Sequence, residues 1–187
     1  MKNLLIVLLF PLLLVSFGCR ETPLPLSPTE TAVRNQVVAY TALLAEGYET
    51  LSMNHLLQVA TEERAMKAFY HMAALGEARV RMIAVLEKIN FAEVAFPDDS
   101  QAQVRTSEKW SYQYRDVDTD AERFTNHADY SLLYTLLRRD GVWLVAEVEV
   151  VEATEEKSAH ELERFFQRPA SDPLPTVIDK QKRELEQ

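Results

Sequence analysis

One carboxylate stands in an otherwise apolar and aromatic row of this sequence. From residue 102 to 114 the residues alternate, and every second one belongs to the series Ala102, Val104, Thr106, Glu108, Trp110, Tyr112 and Tyr114. The residues between them are polar or charged, which predicts a long strand with one solvated face. Glu108 is therefore expected on the buried face. A buried carboxylate is either held by hydrogen-bond donors or tuned for acid/base work.

Tyrosines supply partners for either role of Glu108. The chain offers Tyr40, Tyr48, Tyr112, Tyr130 and Tyr134, and no spacing singles one of them out. Our candidate ligand or pocket residues are Glu108, Trp110, Tyr112, Tyr130 and Tyr134. Core packing is the simpler role for Trp110, as it is for Trp143.

Other kinds of site find little support in the sequence. His127 and Asp129 form a His-x-Asp pair, but two ligands do not make a metal site, and we predict no metal and no cofactor. Only 4 glycines are present, so a Gly-rich phosphate loop is excluded. A Gly-x-Ser-x-Gly nucleophile motif is also missing. The net charge of −9, without a stripe of Lys and Arg, argues against nucleic acid as a partner.

The single cysteine follows an apolar run near the amino terminus. Lys2 precedes the apolar residues 4–15, and Cys19 stands directly after Gly18. This order is typical of an export signal and resembles a bacterial lipoprotein signal. The resemblance implies that residues 1–18 are removed and that Cys19 carries the lipid. Arg20, in place of Asp, implies sorting to the outer membrane, facing the periplasm. A retained signal anchor and simple secretion are the alternatives.

Helices are predicted before the strands. A chain of 187 residues fits one domain with a tail. After a Pro-rich spacer at residues 19–28, Ser27, Pro28 and Glu30 have the spacing of a helix start. Apolar periodicity then predicts a helix to about residue 51, a short helix over 54–60 and a third over 62–75. Gly76 is the expected stop of the third helix.

The second half of the chain predicts a meander of about four strands. The pattern of residues 81–96 predicts a bulged strand whose first residues could be helical. Strands are also predicted over 102–115 and 130–139, and a polar loop over 116–126. Asp140-Gly141 is a strong hairpin signal before the last strand, 142–151. The fold class is therefore α+β, with helices packed on one face of a curved antiparallel sheet. The domain spans residues 29–153, and residues 154–187 are predicted to hold a short helix and a disordered tail.

This order of elements resembles the cone fold of the nuclear transport factor 2-like superfamily, in its IMS-type form, over roughly residues 30–152. The residues that carry the resemblance are Glu108-Lys109-Trp110-Ser111-Tyr112 and the closing hairpin around Tyr134, Asp140-Gly141 and Trp143. IMS-type domains are mostly docking or assembly modules, whereas the ketosteroid isomerase-like members use a carboxylate with a tyrosine.

Two functions follow as predictions. The first is a lipid-anchored envelope protein with a non-catalytic protein- or ligand-binding domain, an accessory of an envelope assembly whose partner is another envelope protein. The alternative is a small cone-fold enzyme that uses Glu108 with a tyrosine as acid and base. A deep cavity reached by Glu108 would favour the enzyme, and a filled cone with an exposed apolar patch would favour docking.

Overall fold

The computed structural model describes residues 26–155, which form two helices and a four-stranded sheet. The elements are α1 (Pro28–Thr50), a 3₁₀ helix (Asn54–Gln58), α2 (Glu62–Glu77), β1 (Val80–Asp98), β2 (Gln101–Asp116), β3 (Glu122–Arg139) and β4 (Val142–Glu155). The strands pair antiparallel in chain order. The predicted α+β fold is confirmed. Cys19, most of the spacer and the predicted tail helix and disordered tail lie outside the described residues.

Helix α1 begins as its sequence predicts. The Ser27 side chain accepts a hydrogen bond of 3.1 Å from the backbone N–H of Glu30, and Pro28 occupies the first turn. The Glu30 carboxylate does not reach back to Ser27 but pairs with Arg34 at 2.6 Å, so half of a capping box is formed. None of the helices of residues 26–155 has the length and apolar character needed to cross a bilayer.

The predicted end of α2 is wrong. The helix continues through Gly76 to Glu77, and the chain turns instead at Arg79, whose φ is 57°. The start of β1 sets this position, because Val80 is its first residue and is fully buried. Arg79 is held in the turn by Asp118, with 3.0 Å between Nε and Oδ2.

The strands are longer than the sequence patterns predict. Residues 81–96 are strand throughout, so their helical opening is wrong, whereas the bulge is confirmed by three register shifts against β2. The predicted loop over 116–126 shrinks to 117–121, because the Asp116 carboxylate accepts hydrogen bonds from the N–H groups of Asp118 and Thr119 in a tight turn. Strand β4 reaches Glu155, beyond the expected domain boundary at 153.

The hairpin at Asp140-Gly141 is confirmed. Both residues are left-handed, with φ of 52° and 83°, as a two-residue turn between strands requires.

The apolar core is divided into two clusters. The larger one joins α1 and the 3₁₀ helix to the sheet through buried residues that include Val37, Leu56, Val104, Leu136 and Val145. The smaller cluster joins α2 to the start of β1 and the end of β2 through Leu75, Val80, Met82 and Tyr114. Residues from both clusters contribute to the cavity described next.

Candidate functional site

A cavity of about 530 Å³ lies between the helices and the inner face of the sheet. Its volume is in the range of ordinary ligand pockets. All five candidate residues of the sequence line it, namely Glu108, Trp110, Tyr112, Tyr130 and Tyr134. They come together because β2 and β3 alternate, so that inward residues of both strands face the same side. The helices add Tyr40, Tyr48, Arg64 and His71.

Glu108 is held by three hydrogen-bond donors. Its side chain is 2% exposed. Oε1 accepts from the hydroxyls of Thr106 at 2.8 Å and Tyr134 at 2.7 Å, and Oε2 accepts from the indole Nε1–H of Trp110 at 2.7 Å. Such a set satisfies a buried carboxylate without a directly bound cation.

Two tyrosines connect Glu108 with an arginine on α2. The ring of Tyr134 packs edge-on against Tyr40, with 6.2 Å between ring centres. The Tyr40 hydroxyl accepts a hydrogen bond of 2.7 Å from Arg64 Nε. Burial, and next the charge of Glu108, raise the pKa of Tyr134. Burial also raises the pKa of Tyr40, against the lowering effect of Arg64. Both hydroxyls therefore keep their protons at neutral pH.

A second polar pair lies further along the helices. Tyr48 Oη and His71 Nδ1 are 2.9 Å apart. Partial burial lowers the pKa of His71 and burial raises that of Tyr48, so a neutral imidazole can accept a hydrogen bond from the tyrosine hydroxyl. Tyr48 follows Tyr40 by eight residues on α1, which corresponds to about 12 Å of helix. The cavity thus has two polar ends along the same helix faces.

Aromatic rings form much of the sheet side of the cavity. Trp110 and Tyr112 stack with an interplanar angle of 5° and 5.9 Å between ring centres. Burial, and next the electrostatic interaction with Tyr130, raise the pKa of Tyr112, and a hydrogen bond with Tyr130 adds to this. These side chains present flat apolar surface to whatever the cavity holds.

Asn126 and Arg64 line the cavity but were not among the sequence candidates. Asn126 belongs to the inward row of β3, which runs through residues 124, 126, 128, 130, 132 and 134. This alternation could have predicted from the sequence that Asn126 faces inward, but residues 116–126 were predicted to be a loop. Asn126 is 8% exposed, and no donor of residues 26–155 reaches its buried Oδ1. Arg64 lies in the first turn of α2, where no sequence pattern indicates that it faces inward.

The His-x-Asp pair is not part of this cavity. His127 and Asp129 line a separate surface pocket of about 200 Å³ with Glu87 and Lys109. His127 Nδ1 lies 3.7 Å from Glu87 Oε1, in an exposed contact. No group of three or more potential metal ligands occurs within residues 26–155.

A solved structure with a similar fold is the intermembrane space region of the chloroplast protein ARC6. The TM-score is 0.58 at 17% sequence identity, and the similarity covers 67% of this chain and 98% of that one. The two chains share a fold. This shared fold agrees with the α+β architecture that the resemblance in the sequence implied. At this identity it establishes the architecture only.

Two more solved structures match with lower scores. A conserved protein from Planctomyces limnophilus gives a TM-score of 0.42 at 15% identity, over 66% of this chain and 98% of that one. A type 2 hexachlorocyclohexane dehydrochlorinase, LinA, gives 0.43 at 12% identity, over 76% and 97%. No protein-family model and no curated protein sequence matches the chain.

Proposed function

We propose that this chain is a lipid-anchored protein of the cell envelope whose cone domain binds a small, largely apolar molecule without transforming it. The observation that carries the proposal is the cavity of about 530 Å³, whose only carboxylate among the described lining residues is already held by three donors.

The hydrogen bonds of Glu108 favour binding over acid/base catalysis. A general base needs a lone pair that can reach the proton it abstracts. Oε1 of Glu108 already accepts two hydrogen bonds and Oε2 one, so a single acceptor site remains on Oε2, and the side chain is almost completely buried. Breaking these bonds would leave buried donors unpaired, at a cost of about 1–3 kcal/mol for each.

The cavity also favours a small ligand over protein docking alone. A docking module of this fold would fill its cone and expose an apolar patch. Here the cone contains space, and its exposed apolar residues include Val85 and Phe96 on β1 and Val142 on β4. A protein partner in the envelope is compatible with this arrangement but has less support than a ligand.

The envelope location rests on the amino-terminal sequence. Cys19 follows the apolar run and Gly18 in the order of a lipoprotein signal, and outer-membrane sorting follows from Arg20. The similar fold of the ARC6 intermembrane space region is consistent with a domain of an envelope compartment.

The alternative function is a small enzyme. Two observations favour it: Glu108 lines the cavity, which is the feature expected above of an enzyme, and the Tyr134 hydroxyl lies 2.7 Å from Glu108, as an acid/base pair would. In that case Glu108→Gln would abolish turnover of a molecule that both forms bind.

Native mass spectrometry of the full-length chain tests the proposal. The chain is incubated with small molecules extracted from envelopes of its source, and bound masses are recorded. Ala84 lines the cavity, so Ala84→Phe fills part of it and should abolish the adduct. Val85 is the next residue and is 52% exposed, so Val85→Phe is the matched control and should keep the adduct.

Three results would count against the proposal. An adduct on both variants would place the ligand outside the cavity, and no adduct on the unmodified chain would remove the ligand altogether. Release of a changed molecule by the unmodified chain, but not by Glu108→Gln, would establish the enzyme instead.

A further inference from the structure

We infer that the ligand is an uncharged aromatic molecule that donates one hydrogen bond to Asn126. This inference rests on the proposed function and specifies the chemistry of its ligand. It starts from the side-chain oxygen of Asn126, which is buried on the cavity wall without a donor from residues 26–155.

An unpaired acceptor of this kind requires an explanation. Buried polar atoms in native proteins are nearly always hydrogen-bonded, and one that is not costs about 1–3 kcal/mol. Only 8% of the surface of Asn126 is exposed. Leucine has nearly the same size and would occupy this position without that cost. The last torsion of asparagine is soft, so the amide can turn its oxygen toward the cavity, where a donor of the ligand would pair with it, while the NH2 group takes the inner position.

The charges around the cavity favour a neutral ligand. Arg64 and Glu108 are the charged side chains among the described lining residues, one of each sign. They are linked through Tyr40 and Tyr134, and both act on the pKa of each tyrosine. His71 is neutral for the reason given above. A charged ligand would leave one charge uncompensated in a poorly solvated space.

The walls favour aromatic rings. The rings of Trp110 and Tyr112 stack in parallel. Tyr112 is the direct partner of Asn126 across the sheet, so the stacked pair lies beside Asn126. Flat rings pack well against such surfaces, and aromatic contacts add about 0.5–1.5 kcal/mol beyond area burial. The donor of the ligand is thus expected at the end of the cavity near Tyr112.

N-Phenyl-1-naphthylamine is a suitable probe, because it is neutral, aromatic and carries a single N–H. Its binding to the full-length chain in lipid nanodiscs is measured as quenching of tryptophan emission, since Trp110 lies on the cavity wall. The signal of Ala84→Phe is subtracted to remove partition into lipid. 1-Phenoxynaphthalene, in which oxygen replaces the N–H, is measured by competition.

The amine should bind the unmodified chain about three- to tenfold more tightly than the ether, the equivalent of one ordinary hydrogen bond. Asn126→Leu should remove this preference while leaving the free chain at least as stable to urea. Thr125 is exposed on the opposite face of β3, so Thr125→Val should keep the preference.

The outcomes separate this inference from the proposed function. Equal binding of amine and ether, or a preference that survives Asn126→Leu, would overturn the role of Asn126, and would mean that a bound water satisfies it. The cavity would still bind a ligand in that case. If neither probe gives a signal above that of Ala84→Phe, the proposed function itself loses its support.

Discussion

The hydroxyl of Tyr134 donates a hydrogen bond of 2.7 Å to Glu108 Oε1, across 26 positions of the chain. Tyr134 stands opposite Val104 in the sheet, and Glu108 stands opposite Tyr130, so the bond crosses from β3 to β2 diagonally. It joins the end of the cavity near Arg64 to the middle of β2. The two side chains thereby hold the inner faces of two long strands together at a polar contact.

Glu108→Gln should destabilise the chain by about 1–3 kcal/mol. An amide cannot accept all three hydrogen bonds, because its nitrogen faces a donor that it cannot satisfy. Urea unfolding followed by circular dichroism measures the change. Glu149→Gln is the control, since Glu149 is exposed on β4 and its replacement should change the free energy of unfolding by less than about 0.5 kcal/mol.

A double-mutant cycle between Glu108→Gln and Tyr134→Phe checks the cause. Coupling of about 0.5 kcal/mol or more is expected for residues in direct contact. Additive effects would show that the hydrogen bond is not what Glu108→Gln removes.

Truncating the inward aromatic residues should lower the free energy of unfolding more than deleting residues 168–187. Trp110 is 5% exposed and Tyr134 is 2% exposed, as the sequence predicted. Trp110→Ala and Tyr134→Ala should each cost about 3–5 kcal/mol, the usual range for a large buried aromatic residue. Deletion of residues 168–187 is expected to cost little. A loss on deletion as large as that for Trp110→Ala would contradict this placement of the core.

Stability should fall as the pH is lowered through about 6.5. Burial lowers the pKa of His71 in the folded chain. Between the pKa of His71 in the folded chain and its ordinary pKa of about 6.5, the unfolded chain binds more protons than the folded chain. A lower pH therefore favours unfolding. Urea midpoints at pH 7.5 and pH 5.5 measure the effect, and His71→Gln should reduce the difference. An unchanged difference in His71→Gln would assign the effect to other groups.

Two glycines should respond to alanine in opposite directions. A Cβ at Gly47 would lie 2.7 Å from Met72 Cε and 2.8 Å from the backbone oxygen of Ser52, so Gly47→Ala should cost about 1–3 kcal/mol. A Cβ at Gly76 would meet Leu51 Cδ1 at 3.4 Å, an ordinary contact. Gly76 is helical, so Gly76→Ala should stabilise by about 0.5–1 kcal/mol. Thermal melting of both variants distinguishes the signs, and a stabilising Gly47→Ala would contradict the close approach.

Cys19→Ala should abolish both acyl labelling and retention in the membrane fraction. The reason is that the proposed lipoprotein signal places the acyl chains on Cys19, and two or more chains on one residue give stable anchoring. Labelling with an alkyne fatty acid, followed by fractionation, measures both. A variant that is processed and still sediments with membranes would favour the retained anchor over the lipoprotein.

The inner face of β2 could be predicted from sequence because a single strict alternation covers it, from Ala102 to Tyr114. The end of α2 could not be predicted in the same way. Gly76 is a common stop, but the burial of Val80 fixed where β1 had to begin, and that is a tertiary constraint. Asn126 was missed for a related reason, because polar residues near a turn suggest a loop until the paired strand is known. The partners of Glu108 also required the fold, since Tyr134 reaches it diagonally from another strand.

The side chains of β2 leave only one useful alignment of the β2–β3 hairpin. A displacement of β2 by one residue would turn Lys109, Ser111 and Gln113 inward, and would carry Glu108 and Trp110 to the solvated face. The misaligned hairpin would have neither a packed core nor a cavity. The proposed ligand binding and correct folding therefore depend on the same side chains of β2, so bound ligand would also report a correctly aligned hairpin.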